Sequence, residues 1–434
     1  MFNIDEIITA TKAKVLKKTL IGDRFSISTD TRTIKSGELY LPLKGEKFDG
    51  EDFIQNALTN GANGYFVTRE FILEGAEFIF QVPNALRAYL DLAKFYKNKI
   101  NPKTIVITGS SGKTTTKEMM YYVMKEQFRT HKTEMNFNNE IGFCKTVLSM
   151  PEDTEVLVLE LGMRGFGEID FLAEYAKPAI GLITNVGTAH IGRLGSRENI
   201  AKAKCEVVKH IKEDGIFIAP DDEIIRKKAK NGIFFSLDDV QILERRVGYS
   251  AFIYKGHKYE LNIEGDYNIQ NALGVIEAAK NLGISEDKIA QGLKNFVPVG
   301  NRWKIEEIKG YKVINDSYNA NPDSMRAVIN TVLQNYQKPL LFVLGNMGEL
   351  GKDEYKYHQE IGEYLAQHQQ DGISVITVVT LANDISLKLN NSLNFETNED
   401  ASKYILDNVP VGTTIVLKAS HSMQFEQIVD YLMR

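Results

Sequence analysis

The stretch Val106–Met120 reads VITGSSGKTTTKEMM: an apolar run, a turn of glycine and serine closed by Lys-Thr, and then residues that favour a helix. A phosphate cradle needs inward-pointing backbone N–H groups, glycines that admit the ligand, and a helix N-terminus with its positive dipole end. Gly109, Ser110, Ser111, Gly112, Lys113, Thr114 and Thr115 could supply all of these. Lys113 would reach the β- and γ-phosphates, and the Thr114 hydroxyl would reach Mg²⁺. The usual eight-residue pattern also carries a glycine three residues before Ser110, where this chain has Ile107, so the loop is a shortened variant. With no ligand, the same residues would make a glycine-rich strand-to-helix turn with an incidental lysine.

Phosphate binding alone does not separate a ligase from a switch or a motor, so the ends of the other apolar runs matter. Ligands of open α/β sheets gather beyond the carboxyl ends of the strands. One run, EVLVLELG, places Glu160 there, and another, AIGLITNVG, leads into a loop with His190. A carboxylate and an imidazole beside a phosphate loop can hold metal ions that bridge phosphates. A solvent-facing loop histidine is the alternative for His190. In SRENIAKAKCEVVKHI, Ile200, Val207, Val208 and Ile211 recur at helical spacing. Lys204 falls on that apolar stripe, four residues from Ile200 and from Val208, whereas Lys202 falls on the polar face. A lysine so placed either snorkels to the surface or is kept neutral by desolvation. A neutral amine can add to CO₂ and become an anionic carbamate ligand.

These groups need a frame. The segment NPKTIVITGSSGKTTTKEMMYYVMKEQF reads as strand, tight loop and helix, and the apolar runs EVLVLELG, AIGLITNVG and GIFIAP follow between helix-length segments. Strands alternating with helices argue for a doubly wound, mostly parallel sheet. A second such series, YKVINDSY, PLLFVLGNM, ISVITVVT and TTIVLKAS, follows Gly300, and NFVPVGNRW with Pro298 and Gly300 is the joint. Before residue 83 the strands are shorter, GELYLPLKG among them, which suggests a small α/β module. The expected fold is therefore α/β in three domains.

Bulk properties are those of a soluble globular protein. The 434 residues exceed one ordinary core at about 100–200 residues per domain. A composition 43% hydrophobic and 25% charged is neither disordered nor fibrous. The net charge of −5 carries no nucleic-acid footprint. TVVTLA and LLFVLG are far short of the roughly 20 apolar residues a bilayer requires. MFNIDEIITATKAKVL has acidic residues before any apolar run and reads as a helix, not a secretion signal. Cys144 and Cys205 form no metal-type pair, so the expected compartment is the reducing cytoplasm.

The segments TGSSGKTTTKEM, NFNNEIG, ELGMRGFGEI, TNVGTAHIGRLGS, AKAKCE, DYNIQNALGVIEAA, NRWKIEE, INDSYNANPDSM and LGNMGELG, in this order, resemble the Mur ligases over nearly the whole chain. The resemblance implies a cytoplasmic, ATP-dependent amide ligase of peptidoglycan precursor synthesis, a monomer without nucleic-acid partner or membrane span. Its implied substrates are UDP-N-acetylmuramoyl-tripeptide and D-alanyl-D-alanine. It further implies a UDP-substrate domain over 1–82, an ATP-binding P-loop domain over 83–299 and a Rossmann-like ligase domain over 300–434. By matching positions, Lys113 and Thr114 would bind phosphate and Mg²⁺, Glu160 and His190 would hold metal, and Lys204 would be carbamoylated. Asn268 and Asn271 would sit at the adenine, and Arg302 and Asp316 at phosphate and ribose. Asn138 and Asn139 would lie near the γ-phosphate or the substrate carboxylate, and Asn319 and Asn321 at substrate. In STDTRTIKSGELYLPLKGEKFDG, Asp30, Thr31 and Arg32 would bind the UDP portion, with Thr31 keeping the hydroxyl of a more usual serine. Lys44, Gly45, Glu46, Lys47 and Phe48 would line the nucleotide or diphosphate. Asp30 and Arg32 could instead pair with surface charges. In KASHSM, Ala419 stands in a usual glycine position, which leaves the role of Lys418 open.

Two neighbouring activities share much of this pattern: addition of the third residue of the muramoyl peptide, and folylpolyglutamate synthesis. The first usually carries an Asp-Asn-Pro-Arg element, where this chain has NANPDS, and the second needs no UDP-type first domain. A P-loop switch GTPase would show Asn-Lys-x-Asp, which is absent.

Overall fold

The computed structural model describes residues 1–19, 24–368 and 371–434. They form two compact units, Met1–Lys103 with His131–Leu159, and Thr104–Thr130 with Glu160–Arg434.

In the first unit, short strands pair in the order Lys14–Lys18, Phe78–Gln81, Gly64–Val67, Leu39–Tyr40 and Ile27–Ser28. The first pair is antiparallel and the others are parallel. Tyr40, Ile54, Ala57, Tyr65, Val67 and Ile79 fill one core beneath them. The acidic N-terminal segment is a helix, Ile4–Thr11, closed by a capping box in which Asn3 and Glu6 satisfy each other's N–H groups. It ends at Lys12 in the left-handed conformation, and the chain turns into the first strand. Helix Ala85–Ile100 starts at an Asn84 cap and is anchored by Tyr96, whose hydroxyl donates to Met150 O at 2.8 Å.

The second unit contains the parallel runs expected from the alternating pattern. Strand Ile180–Ile183 pairs in parallel with Lys103–Thr108 on one side and Ile216–Pro220 on the other, and Ile216–Pro220 pairs with Ile233–Phe235. These strands are near-continuous apolar runs, as expected where helices cover both faces of a parallel sheet. Helices Lys113–Met124 and Asp266–Asn281 pack together, and Gly292 of helix Glu286–Asn295 lets that helix approach the Val123 backbone. A three-stranded antiparallel ribbon, Val240–Arg246, Tyr249–Tyr254 and His257–Leu261, is set between them in the chain.

Residues 296–303 form no helix or strand. Beyond them a six-stranded sheet runs in the order Lys304–Ile308, Tyr311–Asn315, Thr414–Lys418, Leu340–Leu344, Ile373–Val378 and Leu393–Phe395, parallel except for the first pair. Val313, Val343, Ile376, Ile405, Ile415 and Ile428 form its core on one face. The architecture is α/β throughout, with mostly parallel sheets, and among the described residues no helix is long and apolar enough to cross a membrane.

Candidate active site

Strand Lys103–Thr108 delivers the glycine loop, and helix Lys113–Met124 begins at its end with Gly112 left-handed at φ 75° and no side-chain cap. The first N–H groups of an uncapped helix are left for a ligand. Both loop glycines are sterically required: a Cβ on Gly109 would overlap Thr184 Oγ1, and one on Gly112 would stand 2.5 Å from Asn271 Oδ1. The turn is pinned from the neighbouring strand end. Thr184 Oγ1 donates to Ser111 O at 2.6 Å, the Ser111 N–H donates to Asn185 Oδ1 at 3.0 Å, and the Gly187 N–H donates to Ser110 Oγ at 3.0 Å. The serines therefore hold the loop in shape, and the helix head is left without a side-chain cap.

Lys113 curls back, its Nζ donating to Gly109 O at 2.9 Å. Burial pushes this ammonium below its ordinary pKa, Glu160 and Glu349 oppose that shift, and Arg302 adds to it. Thr114 Oγ1 donates to Glu160 Oε2 at 2.8 Å. A hydroxyl and a carboxylate side by side at a helix head are hard oxygen donors of the kind that fit Mg²⁺. Among the described residues no group of three or more His, Cys, Asp or Glu side chains converges as a metal cluster. Lys117, one turn beyond Lys113, is fully buried, with Nζ 3.3 Å from Glu118 Oε1 and 3.9 Å from Glu160 Oε2.

Lys204 is 1% exposed, while Lys202 faces solvent. It ends helix Arg197–Lys204, where the chain tightens into a 3₁₀ turn, Cys205–His210, so the segment read as one helix is two kinds of turn. Desolvation, reinforced by the nearby Lys113 charge, pushes the Lys204 ammonium well below its ordinary range. Burial thus shifts the balance toward the neutral amine.

His190 is left-handed at φ 66° and only partly exposed, so it is not a free solvent-facing imidazole. Its Nδ1 stands 2.5 Å from Glu349 Oε2, a close approach that is bent rather than a linear hydrogen bond. Glu349 belongs to the loop after strand Leu340–Leu344. Contacts flank the pair: the Thr188 N–H and Oγ1 donate to Asp323 Oδ2 at 2.6 and 2.7 Å, and the Gly192 N–H donates to Glu349 O at 3.1 Å.

A cleft beside the loop is lined by Thr115, Glu118, Tyr267, Asn268, Pro298, Arg302, Trp303 and Asp316. Asn268 donates from Nδ2 to Glu264 O at 2.7 Å, leaving its buried Oδ1 without a hydrogen-bond partner. Asn271 packs on Gly112 instead. Asp316 accepts from the Trp303 N–H at 3.0 Å and from Lys418 Nζ at 2.5 Å, and Lys418 also donates to Asn319 O at 2.7 Å. Lys418, whose role the sequence left open, thus holds Asp316 in place. The Arg302 guanidinium lies 3.8 Å over the Tyr318 ring. Asn319 Oδ1 accepts from the Ala320 N–H at 2.9 Å, and Asn321 caps helix Pro322–Asn335 through a box with Ser324.

Within the first unit, Asp30 accepts from Arg32 at its N–H, Nε and Nη2, and this holds its carboxyl down at about 2. The Thr31 carbonyl accepts from Asn60 Nδ2 at 2.8 Å. Lys44 pairs with Asp49 at 3.5 Å, and the Gly45 N–H donates to Phe48 O at 3.0 Å. Glu46, Lys47 and Phe48 are exposed, and the Phe48 ring meets Phe53 edge-on. Asn139 caps helix Glu140–Leu148 by accepting from the Gly142 N–H at 2.9 Å, beside half-buried Asn138.

Sequence reasoning did not single out Lys117, Asn185, Asp323 or Glu349. Lys117 carried a signal, standing four residues from Lys113 on one helix face. The other three are marked only by what they touch.

A phosphate loop on a parallel sheet, a cleft beside it and a second, mostly parallel α/β sheet form the frame of an ATP-dependent ligase. Residues 26–103 match the Mur ligase family catalytic domain, 107–279 the Mur ligase middle domain, and 301–421 the Mur ligase glutamate ligase domain. The chain is 36% identical to UDP-N-acetylmuramoyl-tripeptide–D-alanyl-D-alanine ligase of Bacillus subtilis, over 97% of each chain. Its fold is similar to that of MurF from Acinetobacter baumannii, with a TM-score of 0.91, 29% identity, and coverage of 100% of this chain and 98% of that one. It is also similar to MurF ligase from Thermotoga maritima in complex with ADP, with a TM-score of 0.85, 28% identity, and coverage of 94% and 97%. The chain belongs to the Mur ligase family and is an ATP-dependent ligase.

Proposed function

We propose that the protein joins D-alanyl-D-alanine to UDP-N-acetylmuramoyl-tripeptide at the expense of ATP, in the cytoplasm. The observation that carries this reading is the likeness, end to end, to enzymes of that name. The assembly of Lys113, Thr114, Glu160 and buried Lys204 in one unit supports it.

The residue types follow from the chemistry. A carboxylate and an amine do not condense in water, so the peptide carboxylate attacks the γ-phosphorus of ATP. A carboxylate O–P bond forms, the bridging O–P bond breaks, and ADP leaves with the electron pair. Two anions must meet, and Lys113 with the N–H groups of the helix head neutralises the charge that builds on the transferring group. A divalent cation, when bound, would be held by Thr114 and Glu160, with His190 as a further ligand, and would supply charge that neutralises the phosphates. Lys204, kept as an amine, could add to CO₂ with loss of a proton, and the carbamate so formed would be a further anionic oxygen donor. Asn268, Arg302 and Asp316 face the nucleoside and its phosphates, with Asn271 on the loop behind them. The dipeptide amine then attacks the acyl carbon: a C–N bond forms, the C–O bond to phosphate breaks, and the amine loses its proton. Water would hydrolyse the acyl phosphate, so the segment 298–302 acts as a hinge that closes the last domain. In the first unit, residues 30–32 and 44–48 take the UDP portion of the muramoyl substrate, and Asn138 and Asn139 are polar groups for a phosphate or a carboxylate. In the second unit, Asn319 and Asn321 are candidate substrate contacts.

The test is phosphate release from ATP and Mg²⁺ with the muramoyl tripeptide, with and without D-alanyl-D-alanine, and mass detection of the product. Release that requires both, with a pentapeptide product, is expected. Equal release without either substrate would show that the nucleotide site drives something else.

A further inference from the structure

The contact between Glu349 and His190 joins two parts of the chain that lie far apart in sequence, and its surroundings are built to bring them together. Gly192 and Gly351 meet backbone to backbone, and a Cβ on Gly192 would overlap the Gly351 N. The loop that carries Glu349 is itself clamped. His358 is fully buried, accepts from the Met347 N–H through Nε2 at 2.9 Å, and has Nδ1 2.8 Å from Glu354 O, an arrangement that fixes its tautomer.

At 2.5 Å, Nδ1 of His190 and the Glu349 carboxylate oxygen cannot present two lone pairs to each other. A proton must lie between them, and a neutral ring that carries it on Nδ1 keeps the Nε2 lone pair for something else. Histidines that ligate metals commonly donate their other ring N–H to a carboxylate, which sets ring orientation and basicity. We propose that Glu349 is a positioning residue for His190, delivered across the Gly192–Gly351 contact, so that the imidazole is oriented for a cation only when the last sheet is docked on the phosphate-loop sheet. This rests on His190 as a cation ligand, the reading given above.

The test uses the whole protein with ¹⁵N-labelled histidine at about pH 9, above the ordinary imidazole range. The His190 resonance is identified by its loss in His190→Asn. In wild type the ring carries its proton on Nδ1. Glu349→Ala removes the acceptor, and because this side chain is 42% exposed the fold should tolerate it. Gly192→Ala keeps both side chains and blocks the docking contact. Both variants should lose the Nδ1–H preference and weaken Mn²⁺ binding in the presence of ADP about tenfold, the effect typical of such outer ligands. Survival of the Nδ1–H form in either variant overturns the proposal, as does loss of that form with Mn²⁺ affinity unchanged. A wild type that binds no Mn²⁺ with ADP would instead sink the metal reading underneath it.

Discussion

Lys204 illustrates how burial changes the charge balance of a residue type usually found at the surface. In an unfolded chain its amine titrates at about 10.4, whereas in the folded protein desolvation favours the neutral form far below that. Between the two values folding must strip a proton, so the cost of Lys204 to stability grows as pH falls and vanishes as pH rises toward about 10. Lys204→Met, apolar and of similar length, should therefore be more stable than wild type at pH 7 in CO₂-free buffer. The advantage should shrink toward pH 10 and be read by urea denaturation. The same variant should lose ligation by at least about a hundredfold, and the carbamate signal from ¹³C-bicarbonate should be absent. A Met variant that keeps full turnover would remove Lys204 from the chemistry.

Two elements carry separable roles that can be measured. The phosphate loop depends on left-handed Gly112, where a side chain meets both backbone strain and Asn271. Gly112→Ala should cost about 1–3 kcal/mol by chemical denaturation and abolish the rise in Tm that ADP with Mg²⁺ produces in wild type. Helix Pro322–Asn335 depends on Asn321, which is buried and engaged as its N-cap. Asn321→Ala should lower stability by about 1 kcal/mol, and Asn321→Asp should restore it. If Asn321→Asp keeps stability but not turnover, Asn321 also touches substrate; if it keeps both, the residue is a cap alone.

At the scale of the whole molecule, the links Thr188 to Asp323 and His190 to Glu349 hold the last sheet against the sheet of the phosphate loop. On the proposed function this contact opens in each turnover so that substrates and ADP exchange. A cysteine pair, Thr188→Cys with Asp323→Cys, should stop ligation when oxidised and restore it on reduction, measured as ADP release; Cys144 and Cys205 are buried and should not interfere. Undiminished turnover in the oxidised form would remove closure from the cycle. Much of this protein was legible without coordinates because its signals are local. The Gly-Ser-Lys-Thr turn, the alternation of strands and helices, and the position of Lys204 on an apolar stripe depend on residues within a few turns of one another. What only the tertiary structure decided is long-range: that Asn185 shapes the loop, that Lys117 lies between Glu118 and Glu160, that Lys418 holds Asp316, and that Glu349 meets His190. Each of those pairs is separated by tens to over a hundred residues, or turns on which face of a helix is covered, and no spacing rule reaches across such a gap. Packing alone brings those atoms within bonding distance.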